Sequence, residues 1–445
     1  MDIINQSVSL YKKTSIQEAR FDEEAKLSEG GKKGALVTVT KTSSPKNNPQ
    51  ENQTLTNKST GEILSLKKDR DYRSDRWALK SVVGDILPKC RTSKCMVLRA
   101  PDPVKGGLRD IEVCKSDKLQ KAFYQGLYAC GDIWNCPICA AKVSERRRNE
   151  LKTALVLAKD KGWGIHFVTL TFPHGAGDDL TDILSKMTKA YGKLSSGKYS
   201  VKEQLKKLSP ESEIFGFIRA LEVTHGENGF HPHVHMIVFT NKETESGLLD
   251  FVYYRAWVRA CRLAGLPEPS RLHGCHVQDG SFAADYAGKW GIEDEMTKAN
   301  QKQAKNKGLT PWGLLRCILD GDDLDYPPKR AIGLFLVYSA AFKGKRQLYW
   351  SNGLRKLLGL QKELNDQELA QKADDEAAYT LATITVEQWK AIRKCKAEVM
   401  ILNIAESNPL LITSVINNFV LSSGDAGPHS MGEGVPFYGG RGPTR

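Results

Sequence analysis

Three histidines at alternate positions, followed by an unbroken apolar run, constrain this chain more than any other stretch: Phe230-His231-Pro232-His233-Val234-His235-Met236-Ile237-Val238-Phe239. The run reads as a β-strand, in which alternate side chains share a face. His231, His233 and His235 then line one side, with Ile237 and Phe239 continuing it, while Val234, Met236 and Val238 turn to the core. Neutral imidazole is the commonest metal ligand, and two ring nitrogens two residues apart on a strand reach one ion. The plainer alternative is three histidines that only hydrogen-bond.

The preceding run, residues 214–223, is apolar and β-rich, and 224–229 (Thr-His-Gly-Glu-Asn-Gly) reads as a turn. A hairpin centred between Glu227 and Asn228 sets Glu222 opposite His233. One carboxylate with two imidazoles makes an N/O site with open positions, suited to Mg²⁺ or Mn²⁺ beside a phosphate as well as to zinc. His231 or His225 are the alternatives to Glu222 as third ligand.

A second metal signature lies upstream. Cys130 is followed by the knuckle Cys136-Pro137-Ile138-Cys139, and two thiolates at Cys-x2-Cys spacing bind one tetrahedral zinc. Cys130 is a natural third ligand, with Cys95 or Cys114 as the fourth. A redox pair is the competing reading, and the surplus of upstream cysteines without an adjacent βαβ pattern weighs against it.

Among the 445 residues, net charge +13 and pI ≈ 9.1 favour a polyanionic partner such as nucleic acid. The N-terminus lacks a basic-then-apolar signal pattern, and the longest apolar run, 331–342, is too short to span a bilayer. A cytoplasmic protein without a membrane partner is expected, in which ten cysteines argue for metal or thiol chemistry before disulfides. Composition divides the chain into a disordered segment over 1–75, a zinc-binding lobe with a basic helix over 76–158, and a main domain over 159–360. A helical C-terminal region over 361–421 and a Gly/Pro-rich tail over 422–445 complete it.

Within this frame 140–159 reads as a helix whose polar side carries Arg146, Arg147 and Arg148, either for phosphate contact or as a solvated face. A strand at 166–172 places Thr169 and Thr171 on the face opposite Val168, Leu170 and Phe172. A helix around Leu180–Tyr191, a polar loop, the hairpin, a helix ending at Gly265, a strand at 275–278 and a last helix follow. The order β-α-β-β-α-β-α is the split βαβ plan of an α+β domain: an antiparallel sheet with helices on one face, and the histidines on the face left open. The last helix holds Tyr286 and Lys289, which share a side at that spacing. A tyrosine oxygen can attack phosphorus and an ammonium can stabilise the resulting charge. Tyr-x-x-Lys alone has little weight, since it recurs at Tyr199/Lys202 and Tyr326/Lys329. Further on, Lys343, Lys345 and Arg346 interleave with Tyr349 and Trp350, a pattern that suits single-stranded nucleic acid or an ordinary surface turn.

The strand 167–172, the His231 to His235 cluster and Tyr286-Ala287-Gly288-Lys289, in that order, resemble the three motifs of rolling-circle replication initiators. These are the HUH endonucleases of small plasmids and phages, in their single-tyrosine class. The resemblance spans residues 90–360, including the cysteine knuckle. It implies a metal-dependent, sequence-specific nicking and joining enzyme in which His233, His235 and Glu222 (or His231) hold Mg or Mn. Cys95 (or Cys114), Cys130, Cys136 and Cys139 would hold structural Zn. Tyr286 would form a 5′-phosphotyrosine link, with Lys289 positioning or stabilising the oxyanion; from their charge, Arg146, Arg147, Arg148, Lys343, Lys345 and Arg346 are the expected DNA contacts. The implied partners are single-stranded or extruded origin DNA and the host helicase and polymerase. Some single-tyrosine relatives carry a glutamate four residues before the tyrosine; here Phe282 stands there, and Asp279 and Asp285 are the nearest carboxylates. A relaxase, a single-tyrosine transposase and a non-enzymatic zinc-ribbon DNA-binding protein are the alternatives.

Overall fold

The histidine run is the middle strand of a five-stranded, wholly antiparallel sheet. The computed structural model describes residues 54–56, 63–65, 72–280, 308–372 and 376–423. Two units separate: one runs to residue 98 and resumes over 128–372, the other comprises 99–127 and the chain from 373 onward.

In the first unit the sheet contains β1 (Gly164–Leu170), β2 (Ile214–Gly226), β3 (Gly229–Thr240), β4 (Cys275–Asp279) and β5 (Leu348–Trp350), in the order β4-β1-β3-β2-β5. Its helices of eight residues or more are α1 (Tyr72–Ile86), α2 (Pro137–Asp160), α3 (Leu180–Ser195), α4 (Val201–Leu208), α5 (Ser246–Ala264), α6 (Pro311–Asp320) and α7 (Pro328–Phe342). α4 lies in the stretch expected to be a polar loop. Ser200 caps it by accepting from the Glu203 amide, and Val201 and Leu205 bury one side, so two apolar positions and a cap suffice for a short helix.

β2 and β3 pair along almost their whole length, down to Gly226 opposite Gly229, so the strands continue further than the sequence suggested and the turn is Glu227-Asn228 alone. Gly229 takes the left-handed conformation, φ 78°, that lets a tight turn rejoin the twist of the strands. A side chain there would also meet the Ala176 backbone, 3.0 Å from the Cβ position. This turn fixes the register, and Glu222 stands directly opposite His233.

Alternation then sorts the hairpin. Val234, Met236 and Val238 enter a core with α3, α5 and α7, including Leu184, Met187, Trp257, Phe335 and Tyr338. α5 supplies Leu249, Val252, Tyr253, Ala256, Trp257, Ala260 and Cys261, spaced by three and four as a helix face requires, and Gly265 closes it at φ 75°. The opposite face is not left open as expected. Ile237 and Phe239 join Leu151, Ala154, Leu155 and Ala158 of α2, with Phe167, Ile218 and Trp350, in a second core. Large apolar side chains continuing the histidine face need cover, at roughly 1.5–3 kcal/mol each when fully buried, and α2 provides it. Helices therefore pack on both faces of an α+β, antiparallel architecture, and one end of the second face carries the histidines.

The second unit holds a three-stranded sheet in which Tyr379–Ile384 pairs with Ile111–Ser116, itself paired with Lys121–Gln125. Tyr379–Ile384 lies in a region expected to be helical, yet it forms a strand of this sheet. The capping box at Thr385 is present, with Gln388 completing it, and opens the helix Val386–Lys394. Residues 99–127 thus group with the C-terminal chain, although the sequence placed them with the cysteines.

Candidate metal centre

Two donor clusters form in the first unit. In one, Glu222 of β2 and His233 and His235 of β3 converge, with candidate ligand atoms all within 4.8 Å of one another. Glu222 Oε2 lies 3.4 Å from His233 Nε2 and 3.6 Å from His235 Nε2. The three side chains are 15–20% exposed, so the cluster is sheltered but reachable. His233 Nδ1 is 3.2 Å from the carbonyl oxygen of His231, which only accepts, so Nδ1 carries the proton and Nε2 the lone pair. His235 Nδ1 is 3.0 Å from Thr169 Oγ1, and Phe167 stacks on its ring at 5.2 Å. Both imidazoles are thereby oriented with Nε2 toward Glu222, in the manner of metal-bound histidines. Burial holds His235 below its ordinary pKa, against the pull of Glu222 and with His233 adding to the depression. A carboxylate and two imidazole nitrogens at this separation suit a divalent cation with open positions.

His231 and His225, the alternative third ligands, are engaged elsewhere. His231 Nδ1 is 2.6 Å from His174 Nε2, and His174 Nδ1 reaches the carbonyl of Asn228 at 2.9 Å. Burial, with His233 and His174 adding, lowers His231 to about 4. His225 is buried near the turn, with Nδ1 3.2 Å from the Tyr326 hydroxyl. Thr169, His174 and His276 were not singled out as site residues. The signal for Thr169 and His276 was strand alternation: Thr169 pairs with His235 on one side and His276 on the other, so all three share the cation face. The same alternation removes Asp279 as a substitute carboxylate. It stands opposite His166, whose ring bonds Ser246 and Thr240 on the other face.

In the second cluster Cys95, Cys130, Cys136 and Cys139 come together, all at most 1% exposed. The sulfurs of Cys95 and Cys139 are 3.4 Å apart, those of Cys95 and Cys136 3.6 Å, and those of Cys130 and Cys139 3.7 Å. A tetrahedral zinc with bonds of about 2.3 Å sets its sulfurs about 3.8 Å apart, close to this spacing. The Cys130 amide donates to Cys95 Sγ and the Asp132 amide to Cys130 Sγ, each at 3.4 Å. The fourth donor is Cys95. Cys114 lies on a strand of the other unit, its sulfur 3.8 Å from the Thr380 hydroxyl.

The basic residues divide. Arg147 is buried, with ion pairs to Glu150 (3.1 Å), Glu363 (3.0 Å) and Asp366 (3.4 Å), so its charge is turned inward and away from any phosphate. Arg146 donates to the carbonyls of Leu369 and Lys372, and Arg148 pairs with Glu145. These arginines clasp the 363–372 segment to α2, or pair along the helix itself. Lys343 and Arg346 are exposed; Lys345 is half-buried, and its carbonyl accepts from Trp134 Nε1 at 2.7 Å. Tyr286, Lys289, Phe282 and Asp285 lie outside the described residues. Among the described residues, no helix is long and apolar enough to cross a membrane.

Comparison with known proteins locates the same region. Residues 128–265 match the family model described as "Replication protein". The chain is 27% identical to the "Protein rep" of Streptomyces lividans over 60% of its own length and 73% of that protein. It is 34% identical to a "Neomycin resistance protein" of Streptomyces cyanogenus, over 27% of this chain and 32% of the other. With the "Protein rep" of Lentilactobacillus hilgardii it shares 30% identity over 29% of this chain and 40% of the other. The chain thus spans nearly three quarters of the first relative and less than half of the other two. No solved structure matches it. Residues 128–265, which carry three of the four clustered cysteines and the whole Glu222, His233 and His235 group, are the part of the chain that is similar to the replication-protein family.

Proposed function

We propose that the protein initiates rolling-circle replication of a plasmid by cutting one DNA strand at the origin and rejoining it, as an HUH endonuclease of the single-tyrosine class. The observation that carries this reading is the convergence of Glu222, His233 and His235 on one sheet face, each imidazole oriented through Nδ1. A divalent cation such as Mg²⁺ or Mn²⁺ held by these three donors would supply Lewis-acid polarisation of the scissile phosphate. Glu222, His233 and His235 hold that position rigidly, because the paired strands of the hairpin fix their spacing. The phenolic oxygen of Tyr286 attacks phosphorus; the bond to the 3′ oxygen breaks, leaving a 5′-phosphotyrosine and a 3′-hydroxyl that primes synthesis. Lys289, three residues after the attacking tyrosine in the sequence, would offset charge on the phosphoryl oxygens. Cys95, Cys130, Cys136 and Cys139 hold a structural zinc. The partners in this reading are single-stranded or extruded origin DNA, with the host helicase and polymerase acting on the nicked product.

The deciding experiment incubates the protein with origin single strand and Mn²⁺, denatures it, and separates protein-linked DNA. A covalent adduct is expected for the wild type. Tyr286→Phe should abolish it while changing DNA affinity less than about threefold, since only the reacting hydroxyl is removed. An undiminished adduct would assign the nucleophile to another residue.

A further inference from the structure

The outer side of α5 presents rings and cations that the cation centre does not use. Val252, Ala256, Trp257 and Ala260 point into the core, which turns Phe251, Arg255 and Arg259 outward. The Arg259 guanidinium lies 3.9 Å from the ring centre of Tyr199, just before α4, with Lys198 Nζ 5.1 Å from the same ring. Arg255 lies 5.4 Å from the ring centre of Phe251. Tyr199 is 42% exposed and Phe251 46%, and together with both arginines they line a cavity of about 170 Å³. Among the described residues no carboxylate is paired with Lys198, Arg255 or Arg259.

We infer that this surface is a second contact for single-stranded DNA, on the opposite side of the sheet from Glu222, His233 and His235. The inference rests on the DNA-cleaving reading only for the choice of DNA as the strand. An unpaired guanidinium on an exposed ring is chemically unfinished: its N–H edge seeks an anion while the ring keeps an open face. A single strand supplies both complements at short intervals, phosphates for the cations and bases for the rings. Duplex DNA offers only the phosphates, because its bases are stacked inside. An acidic peptide would answer the cations and leave the two rings without stacking partners. A strand held at both places passes around the sheet edge, so the second contact anchors flanking nucleotides while the cut is made on the other face.

The test measures fluorescence anisotropy of a labelled oligothymidylate and of a duplex of equal length, across a salt series, with the full chain. In R255E/R259E, single-strand affinity should fall at least tenfold, and the slope of log affinity against log salt should become shallower by about two. Tyr199→Ala with Phe251→Ala should weaken single-strand binding while leaving duplex binding within about twofold. All four side chains are exposed, and an unchanged melting temperature confirms that the variants fold. Unchanged single-strand affinity and salt slope would overturn the proposal. So would variants that bind DNA like the wild type yet fail to sustain the plasmid, since the surface would then dock a protein. Binding needs no cleavage: an absent adduct in the wild type would sink the proposed function and leave this comparison readable. Normal cleavage with unaltered binding would sink only the second contact.

Discussion

The two donor clusters differ in ways that separate holding a fold together from doing chemistry. Four cysteine sulfurs are at most 1% exposed and leave no coordination position for anything else, whereas Glu222, His233 and His235 are 15–20% exposed and number three. Soft, closed and buried describes a structural zinc; mixed N/O, incomplete and reachable describes a site that admits a substrate oxygen. The origins of the donors differ too. The cysteines come from loops around α2 and from its first turn, so a metal held there would tie together segments that lack a sheet between them. The other three stand on paired strands, where the backbone ladder has already set their positions.

The largest expected effect follows from that contrast. Cys136→Ser should lose zinc and destabilise the first unit severely, because zinc bound to four thiolates contributes on the order of 10 kcal/mol to folding. Metal analysis should read one tightly bound zinc per chain in the wild type and much less in the variant, with a melting temperature lower by tens of degrees. A variant that melts like the wild type would erase the distinction between the clusters.

His233→Ala applies the opposite test. Strand cleavage should fall by about a thousandfold or more, since removing one of three ligands leaves too few donors to hold the ion. The structural zinc content should not change, and stability should move by about 1 kcal/mol, as expected for a partly exposed site. Zinc lost together with activity would mean that the two clusters are one thermodynamic unit.

How much of this was readable from residues alone depends on what fixed each one. Glu222 opposite His233 was readable because a two-residue turn dictates register and register dictates neighbours. The Cys-x2-Cys knuckle was readable because its spacing is local. Cys95 over Cys114 was not, since the choice depends on where loops of arbitrary path arrive. The cover that α2 gives to Ile237 and Phe239 was also missed, because alternation names a face and cannot say what packs on it. Arg147 shows the converse limit: a run of three arginines looks like a phosphate surface, yet its middle member is spent on Glu150, Glu363 and Asp366, of which the latter two are more than 200 residues away in sequence.

Protons sharpen the comparison by asking how much of the hairpin's acid sensitivity comes from a single buried histidine. His225 sits near the turn, away from the cation ligands, with its backbone bonded both ways to Leu309 at 2.8 and 2.7 Å. Burial, with the charge of Arg330 adding, lowers it from 6.5 to about 4. The unfolded chain therefore binds this proton first as pH falls. Stability that is fully present above pH 6.5 should decline through the window down to pH 4, by on the order of 3 kcal/mol. Denaturant midpoints across that window should flatten in His225→Gln. An equally steep profile in the variant would assign the acid sensitivity to other buried histidines, His231 first among them.

The smallest expected effect is the most discriminating, because it touches no ligand. Thr169 Oγ1 is 3.0 Å from His235 Nδ1 and belongs to the neighbouring strand, so it orients the ring without reaching the ion. Loss of such an orienting bond typically weakens metal affinity by about 10–100-fold. Thr169→Val keeps the shape and removes the hydroxyl, so Mn²⁺ affinity, read by calorimetry, should drop within that range, and Thr169→Ser should restore it. Packing alone predicts the reverse order, because valine preserves the volume that serine loses. An open site built on a sheet depends on its supporting hydroxyl in this way, whereas the buried cysteine sulfurs take hydrogen bonds from the backbone amides of Cys130 and Asp132, with the Thr92 hydroxyl further off at 4.0 Å from Cys130 Sγ.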